Sequence, residues 1–140
     1  MGRIFRSAAI VRFAHCDSAG LIFYPRALEL VNGVVEDWFA DGLGMSFRAL
    51  HLHEGFGIPA VRLETTFYSA AELGDLLEFE LIVAALGQSS VDIEIAATTK
   101  EIERFLTRLR VVFIRLSERK SVPIPGDLRT AIQPYLKDNS

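Results

Sequence analysis

Only one long stretch of this chain repeats its apolar residues at three- and four-residue steps, and most of the chain beyond it repeats at two. From Pro25 onward, Leu28, Val31, Val35, Trp38 and Phe39 fall on one stripe while Glu29, Asn32 and Glu36 face elsewhere, the spacing of an amphipathic helix. Pro25 suits its first turn, where a missing N–H costs nothing, and Gly42 and Gly44 end it. Gly33 sits mid-helix against its propensity, which close packing on a sheet would explain. After a loop carrying His51, His53, Gly55 and Gly57, the period becomes two. Val61, Leu63, Thr65 and Phe67 alternate with Arg62, Glu64 and Thr66; Leu77, Phe79, Leu81 and Val83 come next, with Glu78 and Glu80 between them. Past the Gly87 turn, Val91, Ile93 and Ile95 alternate with Asp92 and Glu94. A last long strand, roughly 104–116, places Leu109, Val111 and Phe113 on one face and Arg108 and Arg110 on the other. Residues 4–13 make a first strand and DLRTAIQPYLK a short terminal helix. The strands read as half-buried members of a mainly antiparallel sheet.

One helix with one apolar stripe has one available partner, the concave face of that sheet. The expected fold class is therefore α+β, an antiparallel sheet wrapped around one long central helix. The 140 residues, 50% hydrophobic, suffice for a single domain over 1–140 with a proper core. On the last strand Val112, Ile114 and Leu116 lie opposite Val111 and Phe113, and a strand apolar on both faces is either a twisted strand whose burial changes along its length or, the favoured reading, a subunit interface. A formal charge of -3 argues against a nucleic-acid partner. Cys16 is the only cysteine, so neither a disulfide framework nor a multi-cysteine metal site is expected. Arg6 and Arg12 interrupt the apolar start, and no apolar run is long enough to span a membrane, so a soluble, cytoplasmic protein is expected.

The chemistry concentrates in HCDSAGLIFYP, residues 15 to 25. Asp17 is a lone carboxylate in a small-residue turn, followed at once by Leu21, Ile22 and Phe23, which suggests that the turn dives toward a buried wall. The helix then begins, and a helix N-terminus offers free backbone N–H groups and the positive end of its dipole. A carboxylate beside such donors can attack a carbonyl or activate water while the donors hold an oxyanion. The plainer reading of Asp17 is a turn or capping residue.

The segment CDSAGLIFYP closely resembles the active-site signature of the hotdog-fold acyl-CoA thioesterases, in particular the 4-hydroxybenzoyl-CoA thioesterase branch. The resemblance continues through GIPAVRLETTFYSAAELGDLLEFELIV (57–83), LGQSSVDIEI (86–95) and SERKSVPIP (117–125), nearly the whole chain. It implies an enzyme that hydrolyses an acyl-CoA thioester, with an aromatic acyl group such as 4-hydroxybenzoyl favoured. It also implies dimers joined through their sheets, often paired into homotetramers, with active sites at subunit boundaries. No cofactor or metal is implied, because coenzyme A is part of the substrate.

Carried onto this sequence, Asp17 is the nucleophile, through a mixed anhydride, or the general base; the backbone N–H of Tyr24 polarises the carbonyl. Gly20 allows the tight turn and the approach of the thioester. Phe23, Tyr24, Asn32 and Phe47 are candidates for the acyl-pocket wall, with Asn32 able to meet a polar group at the far end of an aryl substrate. Gln88, Ser89 and Ser90 could donate to the pantetheine or phosphates, although GQSS departs from the more basic family pattern. Arg119 and Lys120 occupy the region resembling the nucleotide-contacting segment, in a stretch with Arg108, Arg110 and Arg115 where Glu118 is the only acid.

The rival readings are a short-chain aliphatic or carrier-protein thioesterase and a non-catalytic acyl-CoA-binding module. His15 and Cys16 are adjacent in an extended segment and cannot readily form a Cys–His pair, and His51-x-His53 lacks further metal ligands and reads as a surface loop. Glu29, Glu36 and Asp37 read as solvated.

Overall fold

The computed structural model describes residues 2–137. In chain order the strands are β1 (Phe5–Ile10), β2 (Phe56–Gly57), β3 (Ala60–Phe67), β4 (Leu76–Leu86), β5 (Ser90–Thr99), β6 (Ile102–Val112), β7 (Ile114–Arg115) and β8 (Lys120–Ser121). Helix α1 (Tyr24–Asp37) separates β1 from β2, and α2 (Gly126–Ile132) comes after β8. Five strands form the main sheet in the order β1-β4-β5-β6-β3, every neighbouring pair antiparallel. A small sheet, β2-β7-β8, lies beyond it.

The strict alternation along β4 and β5 is what gives the main sheet one greasy face. Leu77, Phe79, Leu81 and Val83 on β4 and Val91, Ile93, Ile95 and Ala97 on β5 are all buried. The register sets Phe79 opposite Ala97, Leu81 opposite Ile95 and Val83 opposite Ile93, so the two apolar rows coincide. Ala27, Val31, Val34 and Val35 of α1, with Trp38 and Phe39 just beyond it, share one buried cluster with those rows. Each large side chain buried there contributes about 1.5–3 kcal/mol. On the outer face, charged residues meet cross-strand partners such as Arg6 with Glu80.

Several details differ from what the sequence suggests. The first strand ends at Ile10, and Phe13–His15 forms a short 3-10 turn. The stripe of α1 continues past Asp37 through a π-helical turn, Trp38–Gly42, and the expected loop at His51 contains a second, Ala49–His53. Strand β3 is not half-buried: Val61, Leu63 and Phe67 are exposed. It forms the sheet edge and is paired on one side only, with β6. The last strand is also not one unbroken strand to residue 116. The alternation breaks at Phe113, between β6 and β7, where the Phe113 N–H donates to the Ser89 carbonyl at 2.8 Å. Ile114 and Leu116 thereby line the same cavity as Leu109 and Val111.

Gly33 is likewise not held by close packing, because a Cβ built there would meet nothing within 4 Å. Gly33→Ala should therefore gain helix propensity without a clash, raising stability by about 0.5–1 kcal/mol. The urea midpoint of the variant measures this; an unchanged or lower midpoint would mean that Gly33 faces another surface in solution.

Candidate active site

The turn after β1 closes on itself. The Asp17 N–H donates to the Leu21 carbonyl at 2.9 Å, and the Gly20 N–H donates to the Asp17 carbonyl at 3.1 Å. Gly20 has φ +76°, a left-handed conformation that glycine adopts without steric cost. The Asp17 side chain completes the turn, with Oδ1 accepting from the N–H groups of Ala19 at 2.9 Å and Leu21 at 3.2 Å. The turn role is thus real and falls on one carboxylate oxygen. Oδ2 has no hydrogen-bond partner among the described residues.

Contrary to expectation, this turn stays at the surface. Asp17, Leu21 and Phe23 are exposed, and Tyr24 is 62% exposed. Only Ile22 reaches inward, its N–H donating to the Ala71 carbonyl at 2.9 Å. The turn's backbone groups satisfy one another or the nearby 71–73 segment, so nothing draws its apolar side chains under cover within one chain. His15 and Cys16 are each tied to Arg12, not to one another: the Arg12 N–H donates to His15 Nδ1 and the Cys16 thiol to the Arg12 carbonyl.

The start of α1 leaves one donor over. Phe23 is the N-cap in extended conformation, and its own N–H donates to the His15 carbonyl at 2.8 Å. Its carbonyl accepts from the N–H groups of Arg26 at 2.9 Å and Ala27 at 3.1 Å. Pro25 has no N–H to offer. Of the first-turn amides, only that of Tyr24 has no acceptor among the described residues, and it lies at the positive end of a fourteen-residue helix.

Below this junction lies a cavity of ≈ 520 Å³ between α1, the sheet and the small sheet. Its helix side is Leu28, Val31, Asn32 and Val35; Leu28 and Asn32 lie one and two turns beyond Tyr24 on the same face. Leu63, Leu109 and Val111 form the sheet side. Gly57 adds to the wall without a side chain, and a Cβ there would come within 2.8 Å of Leu116 Cδ2 and push that side chain aside. Phe47 lines the cavity as expected, edge-on to Phe39 with ring centroids 5.3 Å apart. Phe23 and Tyr24, also expected in the wall, do not line it; their exposed rings lie edge-on to each other outside.

His51 is the residue that sequence reasoning missed. It lines the cavity, packs edge-on against Phe47 at 5.1 Å and bonds through Nδ1 to the Phe47 carbonyl at 2.8 Å. The four-residue spacing of Phe47 and His51 was the available signal, hidden because the segment lacks helical periodicity outside its π turn.

The supposed basic stretch is largely neutralised. Arg110 grips Asp92 through two bonds, 2.6 and 3.0 Å, and Arg108 meets Glu94 at 3.1 Å and Glu64 at 3.8 Å. Arg115 stacks on Phe56 at 4.4 Å and donates to the Glu54 carbonyl. Arg119 and Lys120 are exposed and have no ion-pair partner among the described residues. The Gln88–Ser90 turn is held by its backbone: Gln88 accepts from Ile124 N–H and, with Gly87, from the Arg129 guanidinium. Arg129 therefore positions this turn. None of these residues reaches the cavity.

The hydrogen bond from Arg110, opposed by partial burial, holds the Asp92 carboxyl below its ordinary range. A carboxylate depressed in the folded state adds stability above its unfolded pKa, and that stability is lost as pH falls through the folded value. Asp92→Asn should therefore lower Tm at neutral pH, and the gap to the parent protein should close below about pH 4. Thermal melts across that range check it.

Residues 11–132 match the family described as the thioesterase-like superfamily. The chain is 26% identical over 124 residues to a 1,4-dihydroxy-2-naphthoyl-CoA hydrolase of Synechocystis sp., covering 87% of this chain and 89% of that one. It is 27% identical over 129 residues to the protein of the same name from Acaryochloris marina, covering 89% and 93%. A solved thioesterase-superfamily structure from Jannaschia sp. CCS1 superposes with a TM-score of 0.89 at 23% identity, over 96% of this chain and 94% of that one. The sheet wrapped around α1 is thus a hotdog fold, the architecture of thioester hydrolases. The chain belongs to the thioesterase-like superfamily.

Proposed function

We propose that this protein hydrolyses aromatic acyl-CoA thioesters at the junction of the Asp17 turn and the α1 N-terminus. The observation that carries the reading is the first-turn N–H of Tyr24, unpaired among the described residues, on a helix whose Leu28 and Asn32, one and two turns further, line an apolar cavity. The substrate carbonyl accepts from the Tyr24 N–H, which with the helix dipole stabilises the negative charge that develops on that oxygen. Asp17 Oδ2 either attacks the carbonyl carbon or takes a proton from the attacking water. In the first route the C–S bond breaks to leave an anhydride between the acyl group and Asp17, which water then hydrolyses to the free acid and the regenerated carboxylate. In the second, water adds to the carbonyl carbon and the C–S bond breaks directly. In both, a proton that originates from the water ends on the departing coenzyme A thiolate.

The acyl ring enters the cavity beside α1, between Leu28, Val31 and Phe47. A volume of ≈ 520 Å³ is in the usual range for small-molecule sites and supports either of two rings. These are the 4-hydroxybenzoyl group expected from the sequence and the bicyclic 1,4-dihydroxy-2-naphthoyl group named for the relatives. Arg119 and Lys120 meet the nucleotide phosphates, and the side chains of Gln88, Ser89 and Ser90 meet the pantetheine. The active form is a homo-oligomer, a dimer or a dimer of dimers. Supporting this, the β3 edge exposes Val61, Leu63 and Phe67, and the Asp17 turn exposes Leu21 and Phe23; a second copy would cover both.

Thiol release from a panel of aryl and short aliphatic CoA thioesters tests the proposal. Aryl thioesters should be turned over best, and Asp17→Asn should lose about 10²- to 10⁴-fold. Tyr24→Pro removes the N–H at a helix position that tolerates proline and should lose about 10²- to 10³-fold. Tyr24→Ala, which keeps the N–H, should lose far less. Undiminished turnover by Asp17→Asn, or preference for aliphatic thioesters, would overturn the reading.

A further inference from the structure

Two side chains stand apart from the otherwise apolar cavity wall, Asn32 and His51. A polar atom facing an apolar cavity is costly unless a ligand or water satisfies it. Asn32 carries both donors and an acceptor and so accommodates either kind of partner. His51 does not have that freedom. Its Nδ1 bonds to the Phe47 carbonyl at 2.8 Å, and a carbonyl oxygen can only accept. The proton of the neutral ring is therefore on Nδ1, and Nε2 carries the lone pair. No bond to Nε2 occurs among the described residues.

The ring is also held in place. The π-helical turn Ala49–His53 is closed by the Glu54 N–H donating to the Ala49 carbonyl at 2.8 Å, and the imidazole packs edge-on against Phe47. Single π turns of this kind are frequent at functional sites. His51, on the wall of an otherwise apolar cavity, thus carries a ring acceptor without a partner among the described residues, whose complement is a ligand hydroxyl.

We propose that His51 is a specificity-determining residue, its Nε2 accepting a hydrogen bond from a hydroxyl on the acyl ring, with Asn32 as that hydroxyl's second partner. This rests on the aromatic acyl-CoA reading above for its ligand. An unsubstituted ring fills the same space and leaves the acceptor unmet, so discrimination comes from the lost hydrogen bond and not from size.

The test compares kcat/KM for 4-hydroxybenzoyl-CoA and benzoyl-CoA in the parent protein, His51→Asn and His51→Phe. The amide nitrogen of Asn stands where Nδ1 does, so that variant keeps the bond to Phe47 and lacks the second nitrogen. The parent should favour the hydroxylated thioester by about tenfold or more, and the ratio should fall close to one in both variants. A ratio unchanged by either substitution would overturn the role of His51. Turnover of neither thioester by the parent would count against a monocyclic acyl ring and leave the hydrolase reading to the wider thioester panel above. Calorimetric binding of the same two thioesters then decides the role of His51: selective weakening of the hydroxylated ligand in the variants supports it, and equal affinities contradict it.

Discussion

The packing of the α1 stripe onto the inner face of β4 and β5 is the interaction on which the rest of the molecule depends. Leu77, Phe79, Leu81, Ile93 and Ile95 meet Ala27, Val31, Val34 and Trp38 in one dry cluster. That contact fixes where the helix begins, and so where the Tyr24 N–H stands. It also determines where the packing ends. Leu28 and Asn32 sit at the margin of the stripe, and the gap between them and Leu109, Val111, Ile114 and Leu116 is the cavity. In the proposed function the same helix supplies an electrostatic site at its end and an apolar site along its flank.

Much of this architecture is legible in the sequence because it arises from periodicity. The stripe from Leu28 to Phe39 and the alternation of Leu77–Val83 and Val91–Ile95 define the helix, the two central strands and their mutual burial. Two misreadings came from treating alternation as burial. Val61, Leu63 and Phe67 alternate as well as any central strand, but strand order puts them at the sheet edge, where they stay exposed. Ile114 and Leu116 face away from Val111 in an unbroken alternation, but the break at Phe113 resets the phase. Strand order and a single irregular residue leave no periodic trace.

The site was legible to a different degree at each end. The Asp17 turn and the helix start stand out from sequence through the small residues, the proline and the start of the stripe, whereas the roles of Asp17, Gly20 and the Tyr24 amide rest on the resemblance to the thioesterase signature; the hydrogen bonds give each a defined arrangement. The cavity wall was harder. Phe23 is next to Tyr24 in sequence yet lies outside, whereas His51, on a segment that reads as loop, lies inside. The basic stretch misled because charge was counted along the chain; across strands, Asp92, Glu94 and Glu64 engage Arg110 and Arg108.

The central claim is that one helix terminus holds the reacting carbonyl while the flank of the same helix holds the acyl ring. A crystal structure with a non-hydrolysable aryl-CoA ketone, carrying a methylene between carbonyl and sulfur, tests this most directly. The carbonyl oxygen is expected about 3 Å from the Tyr24 backbone nitrogen, with the ring against Leu28 and Val31. A ketone oxygen bound elsewhere, with the cavity beside α1 left empty, would contradict it.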